Sequence, residues 1–229
     1  MGGDGGCEVP SGEQEKLLLG EGEKAIDVRP GSLWLWGALL VASLFRQWAY
    51  SVLANLYALS PSDYSDRVSV RGATGLSSDE YAGIVYAYTI VAVSAMGVSG
   101  ACTTLFGARR TAVAGLALQV AGCVTCGVSY SVVQVAAGTL VLSGGFGVFL
   151  TPAYSLVFGI ERSGTRRVLA TTTVQAAGNL GAAAASLSIV MAESWVGWRG
   201  TYFCIATGLG ASAVLMLAAP DGAPAASSG

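Results

Sequence analysis

Few residues in this 229-residue chain can do chemistry, and the missing types narrow the possibilities first. Histidine is absent, which removes His-based triads, His-ligated metal and imidazole proton shuttles. Cys123-Val-Thr-Cys126 has the spacing of a redox or zinc pair, but no second ligand pair accompanies it, so packing inside a helix is the expectation. No GxxxxGK[ST] phosphate loop is present, which argues against ATP-driven work. What is left is a handful of polar side chains set in apolar sequence. Arg46 is the single charge between Leu33 and Ser62. On a helix, Tyr50 and Tyr57 fall within about 40° of it. A guanidinium flanked by aromatic rings can hold a carboxylate or phosphate; it can equally bond backbone carbonyls or snorkel along a tilted helix. Gln175 and Asn179, four residues apart, share a helical face. Asn55, Gln119 and Gln134 are the other amides in apolar windows, where amides either hold helices together or meet a solute.

The elements that must position these residues follow from composition. The chain is 53% apolar and 11% charged, against about a quarter charged in a soluble domain, and its mean hydropathy is +0.59. Residues 1–30 carry seven acids and three bases, and residues 31–229 carry seven acids and nine bases, spaced between long uncharged windows. A soluble enzyme, a nucleic-acid binder and a disordered chain are all excluded by this pattern. The expectation is an all-α membrane protein.

Windows of about twenty uncharged residues match a bilayer core of roughly 30 Å. They predict six transmembrane helices near 33–59, 81–106, 111–128, 132–160, 168–192 and 201–219, with Ser129-Tyr130-Ser131 as the turn between the third and fourth. Alternation over about ten residues, the mark of a membrane β-barrel, is missing. Lys16, Lys24, Arg29, Arg109, Arg110, Arg162, Arg166 and Arg167 fall on one side, and Arg67, Arg71 and Arg199 on the other. By the positive-inside rule both termini are expected in the cytosol. The segment Ser60–Glu80 is expected as a solvated external loop, residues 1–30 as a disordered acidic cytosolic tail without a signal peptide, and 220–229 as a second cytosolic tail. Glu13-Gln-Glu-Lys-Leu17-Leu18 has the form of an acidic dileucine sorting signal, and Met1-Gly2 begins like a myristoylation site but has Gly6 where Ser or Thr is needed.

Glycines lie inside the spans at Gly97, Gly100, Gly144, Gly145, Gly147, Gly178 and Gly181. Small residues at helical spacing allow close approach in lipid, for static packing or for sliding during a transport cycle.

Three segments together resemble the N-terminal half of the major facilitator superfamily. Gly100-Ala-Cys-Thr-Thr-Leu-Phe-Gly107-Ala-Arg109-Arg110 is similar to that family's loop signature between spans two and three. Phe158-Gly-Ile-Glu161-Arg-Ser-Gly-Thr-Arg166-Arg167-Val-Leu-Ala170 is similar to its weaker repeat between spans four and five. Gly197-Trp198-Arg199-Gly-Thr-Tyr-Phe203 and Pro152 also fit. Leu76-Ser-Ser-Asp79-Glu80, after the long first loop, is similar to spinster-like organic-anion or lipid transporters. The chain departs from the family where the signature Asp falls at Thr104 and its basic follower at Leu105, which puts the family's cytoplasmic charge latch in doubt. The span-four Arg of many members falls near Gly138. The family has twelve spans in two six-helix halves with substrate between them, so the resemblance covers one half, a major-facilitator-type half bundle.

The resemblance implies alternating-access transport of a small organic solute, an anionic one if Arg46 contacts it. Arg46, Tyr50, Gln175 and Asn179 are the expected substrate contacts. Gly100, Gly107, Arg109, Arg110, Glu161, Arg166 and Arg167 are either a cytoplasmic gate or a positive-inside anchor for lipid headgroups. Expected partners are the solute, the lipid bilayer and either a second six-helix half or another copy of this chain, with no nucleic acid, metal or cofactor. The membrane is expected to be the plasma membrane or an endo-lysosomal or vacuolar one. The rival expectation is a non-transporting scaffold or regulatory protein derived from a transporter half. An intramembrane enzyme would need a His or paired Asp that the spans lack.

Overall fold

A computed structural model describes residues 30–59, 69–161, 164–194 and 196–219. The dileucine-type motif, Met1-Gly2, Cys7, Arg67, Arg162 and both tails lie outside the described residues. Within them the helices are α1 (Pro30–Tyr57), α2 (Val70–Thr74), α3 (Ser78–Phe106), α4 (Ala108–Gly127), α5 (Val132–Ile160), α6 (Gly164–Ala184), α7 (Leu187–Glu193) and α8 (Gly197–Ala218), with no strand among the described residues. Five stretches are long and apolar enough to cross a membrane: α3, α4, α5, α6 continued through α7, and α8. The described residues are thus all-helical in their regular structure, consistent with an all-α membrane protein. α1, at 28 residues, is about 42 Å long. It is not among the five because Arg46, Gln47, Asn55 and its tryptophans and tyrosines dilute its apolar content.

Helix ends follow local chemistry. Ser77 and Glu80 form a capping box at the start of α3: the Glu80 N–H donates to Ser77 Oγ at 3.2 Å, and the Ser77 N–H donates to the Glu80 carboxylate at 2.9 Å. Gly107 alone joins α3 to α4, at φ +86°, where glycine is favoured because it has no Cβ. Its carbonyl accepts from the Thr111 N–H at 3.2 Å and from Thr111 Oγ1 at 3.0 Å.

Two sequence expectations change. From Ser69 onward the expected solvated loop is folded: Ser69 caps α2, and Val70 and Leu76 are buried, because two apolar side chains flanking one helical turn can dock on α1. The span expected at 168–192 falls within the apolar stretch Gly164–Glu193, but with an irregular turn inside it. Around Ala185 and Ser186 the hydrogen bonds shorten to three-residue spacing (Ser186 N–H to Ala183 O at 3.1 Å, Ser188 N–H to Ala185 O at 3.0 Å), and the helix breaks into α6 and α7.

Helices pack through glycine seams. α4 and α5 run antiparallel, Gly115 facing Gly145 and Phe149 while Gly122 faces Gly138 and Leu142. A Cβ at Gly122 would sit 2.5 Å from the Leu142 nitrogen. Gly147 lies against Ala92 of α3, and Gly181 against the Leu44 backbone of α1. Gly97 and Gly100, expected in such seams, meet nothing within 4 Å. α5 contacts α3, α4, α1 and α6, while α1 packs on α6 and α8, so α1 and α5 form the middle of the bundle. Large apolar side chains such as Ile90, Val93, Leu180 and Val214 are exposed on its outside, the arrangement a lipid solvent favours.

Candidate functional site

α1 crosses α5 and α6 at Arg46. The side chain is 3% exposed. Its guanidinium carbon lies 4.4 Å from the centre of the Phe146 ring and 6.0 Å from that of Phe149, both on α5. Nη2 reaches α6, 3.4 Å from where a Cβ on Gly178 would stand, so a glycine there leaves room for the guanidinium. Nη2 donates to Gln47 Oε1 at 3.4 Å, a long bond from a neighbour on its own helix. Nε and Nη1 have no hydrogen-bond partner among the described residues. A desolvated cation–π contact returns about 2 kcal/mol, whereas an isolated charge at membrane depth costs at least ~2.5–3.5 kcal/mol. The rings therefore offset much of the burial cost but leave the N–H groups unmet. The carbonyl-bonded strut expected as one alternative is not how Arg46 is held.

Tyr50 belongs to the same cluster through Phe146, whose ring it stacks on at 4.3 Å, and it meets Tyr88 edge-on at 4.8 Å. Tyr57 does not: it stacks on Tyr81 at 3.8 Å and lies under Arg71 at 5.7 Å, near the α2 end of the bundle. Gln175 and Asn179 share the expected face, with Gln175 Nε2 donating to Asn179 Oδ1 at 3.5 Å. Tyr154 of α5 donates its hydroxyl to Gln175 Oε1 at 2.9 Å. Tyr154, Thr171, Thr172, Gln175, Ala176 and Asn179 line an open groove of about 330 Å3. Gly178, where a Cβ would stand 3.4 Å from Arg46 Nη2, precedes Asn179 in the chain but does not line the groove. There are thus two distinct parts, a sealed cation with two unmet donors and a hydroxyl- and amide-lined groove that Arg46 does not line.

The remaining amides are accounted for locally or by burial. Asn55 Nδ2 donates to Ser51 O at 3.2 Å, and Gln134 Oε1 accepts from the Tyr130 N–H at 2.7 Å. Gln119 is fully buried, and neither amide atom has a partner among the described residues. Cys123 and Cys126 are buried free thiols, the latter 3.8 Å from Thr139 Oγ1.

At the end where α3 turns into α4, Arg109 caps α8. Its Nε donates to Met216 O at 2.7 Å, and its Nη2 donates to Leu217 O at 2.6 Å and to Ala219 O. Arg110 and Arg166 are exposed there, beyond Gly100 and Gly107. Arg167 donates from Nε to the main-chain carbonyl of Glu161 at 2.7 Å and lies 6.0 Å from the Phe158 ring, so these two residues meet through backbone rather than through a carboxylate. At the opposite end Arg199 donates to Ser129 O at 2.9 Å and covers the Tyr130 ring at 4.1 Å.

Sequence reasoning missed Phe146, Phe149 and Tyr154. Phe146 and Phe149 are three apart in a glycine-rich apolar run, which marks a close-packed helix face but not a cation's neighbour. Tyr154 was the one hint, a phenol deep in an uncharged window.

No protein-family model matches this sequence, and no curated protein matches it. The fold and the site are therefore what define its class: an all-α chain, several of whose helices can cross a membrane, with one buried arginine among aromatic rings and a separate polar groove.

Proposed function

We propose that this chain is a secondary transporter or its N-terminal six-helix half, moving a small organic solute by alternating access. The observation that carries the reading is Arg46, buried at mid-helix with two unpartnered nitrogens on a helix that packs against α5 and α6, whose Tyr154, Gln175 and Asn179 line a groove. Charges at membrane depth belong to cavities and pathways far more often than to plain packing. Support also comes from the helix break beyond Asn179, since interrupted helices mark binding sites in carriers. In a major-facilitator arrangement a second six-helix half, or a second copy, would complete the cavity at such a groove. Glu161, Arg166 and Arg167, with Arg109 and Arg110, then lie on the cytosolic face of a plasma or endo-lysosomal membrane, where their arginine excess fits the positive-inside rule.

The test is flux. The full chain is reconstituted in liposomes, and uptake of a panel of labelled small solutes is followed over time. Saturable, Arg46-dependent uptake supports the proposal. A stably folded chain that moves none of them, alone or joined to a second half, is instead the scaffold of the rival reading.

A further inference from the structure

Resting on that reading of the chain as a carrier, we infer that the α5–α6 groove takes an uncharged polyhydroxylated solute, a polyol or a small sugar, held by the Gln175 and Asn179 amides and the Tyr154, Thr171 and Thr172 hydroxyls. The groove opens because α6 packs mainly on α1 and only lightly on α5, and Ala176 in its wall is too small to fill the gap. The Tyr154–Gln175 hydrogen bond crosses that gap at 2.9 Å.

Depth gives the polar lining its meaning. Gln175 and Asn179 lie near the middle of Gly164–Glu193, a stretch apolar enough to cross a membrane, and both are exposed there, as is Thr172. Hydrocarbon offers amides and hydroxyls nothing to bond, so exposed ones at that depth need a polar occupant. The hydrogen bonds already made define what is left. Thr171 and Thr172 spend their hydroxyl hydrogens on Arg167 O at 2.8 Å and Val168 O at 2.9 Å, and Tyr154 spends its own on Gln175. Gln175 Nε2 gives one hydrogen to Asn179 Oδ1 at 3.5 Å. Open to an occupant are therefore amide N–H donors on Gln175 and Asn179, and oxygen lone pairs on all five residues. A hydroxyl answers both, since it donates and accepts at one atom, and several are needed to reach five residues.

Charge and size limit the ligand further. None of the six lining residues is charged, and Arg46 is not among them, so a carboxylate, phosphate or ammonium would enter the groove without a counter-charge. The groove of about 330 Å3 is roughly ten times the share of one water, about 30 Å3, which suits a molecule of several carbons rather than a single water or ion.

The test measures the melting temperature of the purified full chain in phosphatidylcholine nanodiscs, which contain no sugar detergent. The probes, kept at millimolar concentration so that polyols do not act as osmolytes, are myo-inositol, sorbitol and glucose. Gluconate and glucosamine are their charged counterparts, and cyclohexanol is a ring with one hydroxyl. At least one neutral polyol is expected to raise the melting temperature saturably, while the charged compounds and cyclohexanol do not. Asn179→Leu and Gln175→Leu should each weaken that binding by about tenfold, the loss of one hydrogen-bonded contact. Tyr154→Phe, which keeps the ring and removes the hydroxyl, keeps the inference testable if either does not fold. Gluconate or glucosamine stabilising as well as the polyols overturns the inference. So does an absence of any polyol effect, or an effect that survives all three substitutions. A dimer that Asn179→Leu splits, in a chain indifferent to polyols, overturns it too, because a second copy then fills the groove. The two proposals fail separately: polyol binding without flux in liposomes sinks only the transport reading, and flux of another solute without polyol binding sinks only this one.

Discussion

The indole N–H of Trp48 donates to Ser188 Oγ at 2.7 Å, tying α1 to the short helix beyond the break in the α6–α7 span. Ser188 is fully buried, and Trp48 sits two residues beyond Arg46. Two residues along a helix is about 200° of rotation, so α1 turns one face to the candidate site and a different one to the segment after the break. Losing one hydrogen bond at a buried site costs about 1–3 kcal/mol because the partner is left unmet. Trp48→Phe is expected to lower the melting temperature by several degrees, and Ser188→Ala by less, since alanine leaves only the indole N–H without a partner. Amide hydrogen exchange over 185–193 should rise in both.

The glycine seams make opposite predictions for two glycines that look alike in sequence. A Cβ at Gly122 would meet the α5 backbone at 2.5–2.7 Å, which cannot move aside as a side chain can. Gly122→Ala should destabilise by about 1–3 kcal/mol, the usual cost of overpacking. Gly97 has nothing within 4 Å, so Gly97→Ala should stabilise α3 by about 0.5–1 kcal/mol through backbone entropy. Thermal unfolding of the two variants side by side in one detergent checks the sign; equal effects would show that the α4–α5 approach is looser than described.

Arg109 holds the last carbonyls of α8 with three donated bonds. Charge-assisted bonds are worth about 1.5–3 kcal/mol, or ~10–100-fold in a local opening equilibrium. Arg109→Ala should raise amide exchange by that factor over residues 215–219 while leaving α5 unchanged. Arg109→Lys should restore only part of the protection, because one ammonium cannot reach carbonyls that the guanidinium bridges.

At the start of α3, Ser77→Ala removes the acceptor for the Glu80 N–H and should cost roughly 1 kcal/mol. Faster exchange confined to residues 78–82 would be the signature; faster exchange over α5 as well would mean the cap has a wider role.

How far the sequence reached differs from element to element. The all-helical class, the approximate helix ranges and the Ser129–Ser131 turn are local properties: uncharged length, turn residues and caps act within a few positions of themselves. The pairing of Gln175 with Asn179 is equally local, since it needs only helical spacing. Arg46 stood out because one charge in a long apolar run is visible without knowing any neighbour. Gly97 and Gly100 show where this logic stops, since a small residue at helical spacing marks a seam only if another helix lies opposite.

What tertiary structure decided was which faces meet. Phe146 and Phe149 stand about a hundred residues from Arg46 along the chain, so no window of sequence could join them; their meeting depends on how α1 is rotated against α5 and α6. The same rotation separates Tyr50 from Tyr57, which spacing had placed together: Tyr50 stacks on Phe146, while two turns further Tyr81 captures Tyr57. Helical periodicity assigns an angle around one axis and says nothing about the neighbour at that angle. That neighbour is set by the close approach of Gly115, Gly122, Gly138, Gly145 and Gly181 to facing backbones, an outcome of all the helices packing at once.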